Sequence, residues 1–219
     1  MVIHINQSRA NFAIEFKILV DDVPTYTGVS SPISSAFSNR LMDKNGYIIY
    51  QTQLQPLVNL KGAVPFKWVW SKQISRVCDI LDDSGKVVAT FSYVRESLLN
   101  DYYSIWGKGF DLRLYDISKG AKKYILLFVN DKQIGQIHRN NFVENNRSEY
   151  VFYLLSQHED FAPLVSLFTI YYDSYNHSNR GQIVAYKTEF TWEWTLGKYN
   201  KLYNPKWLQT HFGKANPFF

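Results

Sequence analysis

FAPLVSLFTIYYDSYN, residues 161–176, decides how the rest of the chain is read. No other segment has the length and pattern of a long helix, and this one is apolar nearly all the way round. Phe161, Leu164, Val165, Phe168, Tyr172 and Tyr175 line one face, while Leu167, Ile170 and Tyr171 cover most of the other. A helix without a polar face has to be enclosed. The sequence before and after it alternates as β-strands do, so the enclosing body is expected to be a sheet wrapped around it. Asp160 has the side chain of an N-cap, able to accept from the free amides of the first turn. Pro163 falls within that turn, where a missing N–H costs little, and the helix is expected to end near Asn176 to Ser178.

Upstream, the same grammar recurs: apolar run, short polar tip, apolar run. Residues 11–20 pair with 26–29 across Asp21-Asp22, and 34–42 pair with 47–53 across Asn45-Gly46, the strongest short hairpin signal in the chain. Residues 64–71, VPFKWVWS, read as a further strand. Residues 76–81 return through Asp82-Asp83-Ser84-Gly85 into 86–94, then come 102–106 and 110–117. Residues 124–129 turn at Asn130-Asp131 into 133–138, and 148–155 is a last strand before the helix. The units are too unequal to be tandem repeats. Beyond the helix, 188–196 alternates as a strand, and Asn204-Pro205 introduces a short helix over 206–212 that Gly213 closes.

With 219 residues, 46% hydrophobic and 20% charged, the chain suits one large β domain spanning 1–219, its core at about 12–178. Aromatic residues make up 17%, which favours half-buried pleated surfaces before it favours any ligand. The single cysteine, Cys78, excludes an internal disulfide framework and a multi-cysteine zinc site. The opening residues lack the basic and apolar regions of a signal peptide. No run reaches the roughly 18–20 apolar residues that span a bilayer. A cytoplasmic protein without a transmembrane segment is therefore expected, peripheral at most to the inner membrane face. The net charge of +5 and pI near 9.1 permit attraction to anionic lipid or an acidic partner. Lys and Arg form no polybasic run, and nucleic acid is not expected.

No stretch carries a reaction. His4, His138, His158, His177 and His211 are scattered without metal-ligand spacing, and no nucleophile elbow, phosphate loop or dinucleotide fingerprint is present. Cys78 beside Asp79 reads as an inert strand thiol. Asp82 to Gly85 reads as a hairpin tip, since the later bidentate Glu of an EF-hand is missing. Asp173 ends an apolar helix, and if buried it needs a partner such as Arg76, Arg113 or Arg180. One patch interleaves rings and cations: Lys67, Trp68, Trp70, Lys72 and Arg76. It suits anionic headgroups if 64–71 is an edge strand, whereas tryptophans packed inside a barrel would explain the same alternation.

Three segments in order, DILDDSGKVVATFSY from Asp79, ILLFVNDKQIGQIHR from Ile125 and FAPLVSLFTIYYD from Phe161, resemble the bacterial tubby C-terminal-like proteins. These belong with the LURP-one-related proteins and the phospholipid scramblases. The likeness covers roughly residues 12–178 and rests on the short return Lys132 to Ile137 and on Tyr171-Tyr172-Asp173. It implies a closed antiparallel β-barrel of about 12 strands around one central hydrophobic helix. In tubby and the scramblases that helix lies almost at the C-terminus. Here some forty residues follow, and whether 179–219 complete the barrel or cap an end is open. None of the basic phosphoinositide ligands of eukaryotic tubby finds a matching position. The scramblases' palmitoylated cysteines and calcium-binding acidic segment also have no counterpart.

The function expected is a non-catalytic binding or scaffold module without cofactor or metal, associating with anionic membrane lipid. The alternative is a protein-interaction role, immunity-like or docking an acidic partner protein. An enzyme with an unrecognised site comes third, and Asp79, His138 or Asp173 converging on an open pocket would be its sign.

Overall fold

Alternation on this scale wraps a sheet until its edges meet. In the computed structural model, which describes residues 1–10, 13–33, 36–55, 72–97, 100–119, 122–145, 147–177, 186–188 and 198–213, they do meet. The strands are β1 (Val2–Ala10), β2 (Ile14–Val20), β3 (Val23–Ile33), β4 (Ala36–Asp43), β5 (Ile48–Leu54), β6 (Gln73–Leu81) and β7 (Val87–Ser97). They continue with β8 (Asn100–Gly107), β9 (Phe110–Lys119), β10 (Lys122–Val129), β11 (Lys132–Arg139), β12 (Phe142–Glu144), β13 (Glu149–Leu154) and β14 (Tyr186–Thr188). Twelve of them form one closed antiparallel barrel, each pairing with the next in sequence from β1 to β11; β13 fills the gap between β11 and β1. Closure leaves the barrel no edge. β12 leaves the wall and pairs with β14, Phe142 opposite Thr188.

Helix α1 (Ala162–Asn176) threads the barrel. Twelve of its fifteen residues are buried, which an amphipathic surface helix would not allow. Inward-facing wall residues meet it: Ile3 and Ile5 of β1, Phe16 of β2, Leu41 of β4, Ile105 of β8, Leu114 of β9 and Phe152 of β13. Phe168 lies edge-on to Phe91 and Tyr103, ring centroids 5.9 and 5.2 Å away. At Gly28 of β3 the wall comes so close that an added Cβ would lie 2.3 Å from Ile170 Cδ1. Asp160 does not cap α1. Residues Ser156–Phe161 form a 3₁₀ helix that runs directly into it, and the cap position falls on Phe161, without a side-chain cap bond. Pro163 is accommodated in the first turn, as the sequence implies.

The segment after α1 neither completes the barrel nor plugs an end where it is described. The 3₁₀ helix Lys198–Leu202 and α2 (Trp207–Phe212) lie on the outer wall. Tyr199, Leu202 and Tyr203 cover Tyr102, Tyr115, Ile117, Tyr124 and Leu126, and Trp207 and Leu208 pack on Val151 and Tyr153. That is why β10, KKYILLFV, is apolar on both faces: one meets α1 and the other meets this strap. Gly213 closes α2 at φ 61°, the left-handed C-cap its sequence promises. The strand expected over 188–196 lies outside the described residues apart from Thr188, which belongs to β14. Among the described residues no helix is long and apolar enough to cross a membrane.

Candidate functional site

The barrel has two unlike ends. The tight hairpins β2–β3, β4–β5, β6–β7, β8–β9 and β10–β11 sit at the end where α1 enters; the opposite end is where α1 leaves. The hairpin end carries Asp21, Asp22, Asp43, Asp82, Asp83, Asp131, Glu159 and Asp160 against Lys44, Lys86, Lys108 and Lys132. Asp43 accepts from the amides of Asn45 and Tyr47, and Asp82 from Ser84 and Lys86. These turn bonds hold both carboxyls below their usual range, in Asp82 chiefly through the Ser84 side chain. Eight carboxylates against four lysines put this end at −4.

The exit end is built differently. Lys72, Arg76, Arg95, Lys119, Lys122, Lys123, Arg139 and Arg147 lie on its strand ends and connections, against Glu96, Asp101, Asp116, Glu144, Glu149 and Asp173. Inside its mouth the last turns of α1 are polar and tied to the wall. Ser174 Oγ is hydrogen-bonded to Ile170 O, to which it donates, and to the Ser30 hydroxyl (2.7 and 2.6 Å), and Thr52 Oγ accepts from the amide and the side chain of Asn39. Tyr172 donates to Asp116 at 2.6 Å, and Lys123 reaches both Asp116 (3.0 Å) and the Tyr172 hydroxyl (2.9 Å). Tyr150 donates to Asp173 at 2.7 Å. Arg139 lies 6.0 Å from the centre of the Tyr150 ring and reaches Ser148. Burial, followed by the neighbouring charge of Asp173 or Asp116, pushes the Tyr150 and Tyr172 phenols well above their usual range. Both are therefore fixed hydrogen-bond donors at neutral pH.

Lys123, Ile125, Ile137, Arg139, Tyr150 and Tyr172 line a void of about 10 Å³. That is room for roughly one water. Its exposed lining is almost wholly apolar, and it has the size of no organic substrate.

Of the residues singled out from sequence, Lys67, Trp68 and Trp70 lie outside the described residues, as does Arg180. Lys72 is exposed at the exit end. Arg76 takes φ 53° at a break in the β6–β7 register and sets its guanidinium over Tyr93 and over Tyr175 of α1, at 5.2 and 5.4 Å. Its backbone carbonyl accepts from Tyr171. Arg76 thus clamps helix to wall, and of the described pair only Lys72 is an exposed surface cation, its charge acting on Glu96. The described partner of Asp173 is a phenol and neither Arg76 nor Arg113: Arg113 faces Asp111 and Asp131 on the outer wall. Nor do Asp79, His138 and Asp173 converge. Asp79 accepts from Gln55 and Thr90, His138 sits between Tyr124 and Tyr153 under the strap, and Asp173 is inside the barrel. Cys78 is buried, and its thiol is pushed up to about 12 by burial and then by Asp79. Among the described residues no three His, Cys, Asp or Glu side chains gather as a metal site. Sequence reading passed over Lys119, Lys122, Lys123, Arg139 and Arg147, which the barrel brings to one end from separate strands. The signal available was the run Lys119 to Lys123 at one hairpin tip.

No family model, curated protein or solved structure matches this chain.

Proposed function

We propose that the chain is a non-catalytic binding module of the tubby-like superfamily that attaches to anionic membrane lipid through the exit end of its barrel. The observation that carries this reading is the separation of charge along the barrel axis. An end at −4 opposite one whose eight described cations outnumber its six carboxylates by two orients the molecule in the field of an anionic surface before contact. The threaded α1 supports the superfamily reading, because it is the architecture the three sequence segments imply. It also supports a non-catalytic role, since the lumen is occupied by side chains and binding is left to the outside.

Each Lys or Arg near an anionic bilayer contributes about 1 kcal/mol, a factor of about five in partitioning. Cosedimentation with phosphatidylcholine vesicles, with and without phosphatidylserine, tests the reading. Binding is expected to require phosphatidylserine, to fall about fivefold in Lys72→Ala and again in Arg147→Ala, and to hold in Lys44→Ala and Lys86→Ala at the hairpin end. Equal binding to both vesicle types would end it.

A further inference from the structure

The hairpin end is acidic, and it is also where large apolar side chains stand in solvent. Val23 is 62% exposed, Tyr47 73%, Val87 51% and Trp106 54%. They occupy the hairpins β2–β3, β4–β5, β6–β7 and β8–β9, which follow one another without interruption around the barrel. Single exposed apolar residues are ordinary; four on successive tips of one rim make a surface. Carboxylates accompany them along the chain, Asp22 directly before Val23 and Asp83 four residues before Val87.

We propose that this rim docks a basic amphipathic polypeptide segment, one in which Lys or Arg alternates with apolar side chains. Charge decides the class. A purely apolar partner would strip water from carboxylates that gain nothing in return, and a purely basic one would leave Trp106 and Tyr47 wet. A segment carrying both satisfies both, with the rings as anchors and the carboxylates setting register and encounter rate. The rim lies at the far end of the barrel from the lipid-facing cations, and the proposal stands without them.

Fluorescence anisotropy with the full chain and two labelled twelve-residue peptides of equal charge, one alternating Lys and Leu and the other Lys and Ser, tests it. The Lys-Leu peptide is expected to bind at least tenfold more tightly. The double variant Trp106→Ser, Tyr47→Ser is expected to lose most of that difference with its thermal midpoint kept, since both side chains are exposed. Phe142→Ser, exposed on β12 away from the rim, is expected to change nothing. Equal affinity for the two peptides, no binding of either, or a Trp106→Ser, Tyr47→Ser variant that binds as before overturns the proposal. So does concentration-dependent self-association in light scattering that the same variant abolishes, because a second copy would then be the occupant.

Discussion

Gly28 gives the sharpest handle on the threaded helix. An alanine Cβ there would lie 2.3 Å from Ile170 Cδ1, 3.0 Å from Ile170 Cγ1 and 3.4 Å from Phe16 Cβ. Carbon atoms pack at about 3.5–4.0 Å, so one methyl on the helix has to move. Ile170 is fully buried and has little room to do so. Overpacking of this kind costs about 1–3 kcal/mol. A stiffer unfolded chain returns about 0.4–1 kcal/mol, which leaves Gly28→Ala destabilised by about 1–2 kcal/mol. Ile170→Val deletes the offending Cδ1 and by itself costs about 0.5–1.5 kcal/mol. In the double variant the new methyl takes the vacated volume. Urea unfolding followed by tryptophan fluorescence on all four proteins should show the double variant more stable than additivity by about 1 kcal/mol or more. Additivity within about 0.5 kcal/mol would mean that β3 and α1 do not touch, and the reasoning would fail.

Three further outcomes follow from the buried chemistry. Cys78, its thiol pushed up to about 12, should ignore a thiol reagent at pH 8 in the native protein and react once in urea; native-state labelling at the free-thiol rate would contradict its burial. Tyr150, Tyr171 and Tyr172 have phenols raised chiefly by burial, so above pH 10 the unfolded chain loses protons that the folded chain keeps, and stability falls as pH rises. Absorbance at 295 nm should therefore show the buried phenols titrating only together with unfolding; one smooth transition in a folded protein would refute this. Asp173→Ala leaves the Tyr150 hydroxyl without its acceptor and should cost about 1–3 kcal/mol, whereas Asp173→Asn keeps an acceptor and should cost less. If the two variants are equally stable in chemical denaturation, the Tyr150 bond contributes nothing.

The helix was legible because its pattern admits one explanation: apolar residues all round require a surrounding wall. Hairpin tips were legible where turn chemistry is strict, at Asn45-Gly46 and at Asp82 to Gly85, whose glycines both take positive φ. β1 was not, because VIHINQSRA mixes inward Ile3 and Ile5 with polar neighbours, and Gln7 is buried through a bond that its side-chain oxygen accepts from the Ser148 amide, 141 residues away. No local pattern contains that bond. Asp160 misled for a related reason: a good cap residue before an apolar run was overridden by a 3₁₀ turn that delivers the chain into the barrel mouth. The exit end was illegible as a site because its cations come from separate strands. The partner of Asp173 was hidden among tyrosines read only as core. The clue to the strap lay in strands such as β10 and β13, whose two faces are both apolar and so need cover on both sides.

The central claim is that α1 is shut inside the barrel. Native-state hydrogen exchange across Leu164 to Ser174, read residue by residue against urea, measures it most directly. Enclosure predicts that these amides exchange only through global unfolding, with the same free energy and urea dependence as the central amides of β9 and β10. Exchange of the helix through a separate, lower-energy opening while the strands stay protected would place it outside the wall and contradict the account.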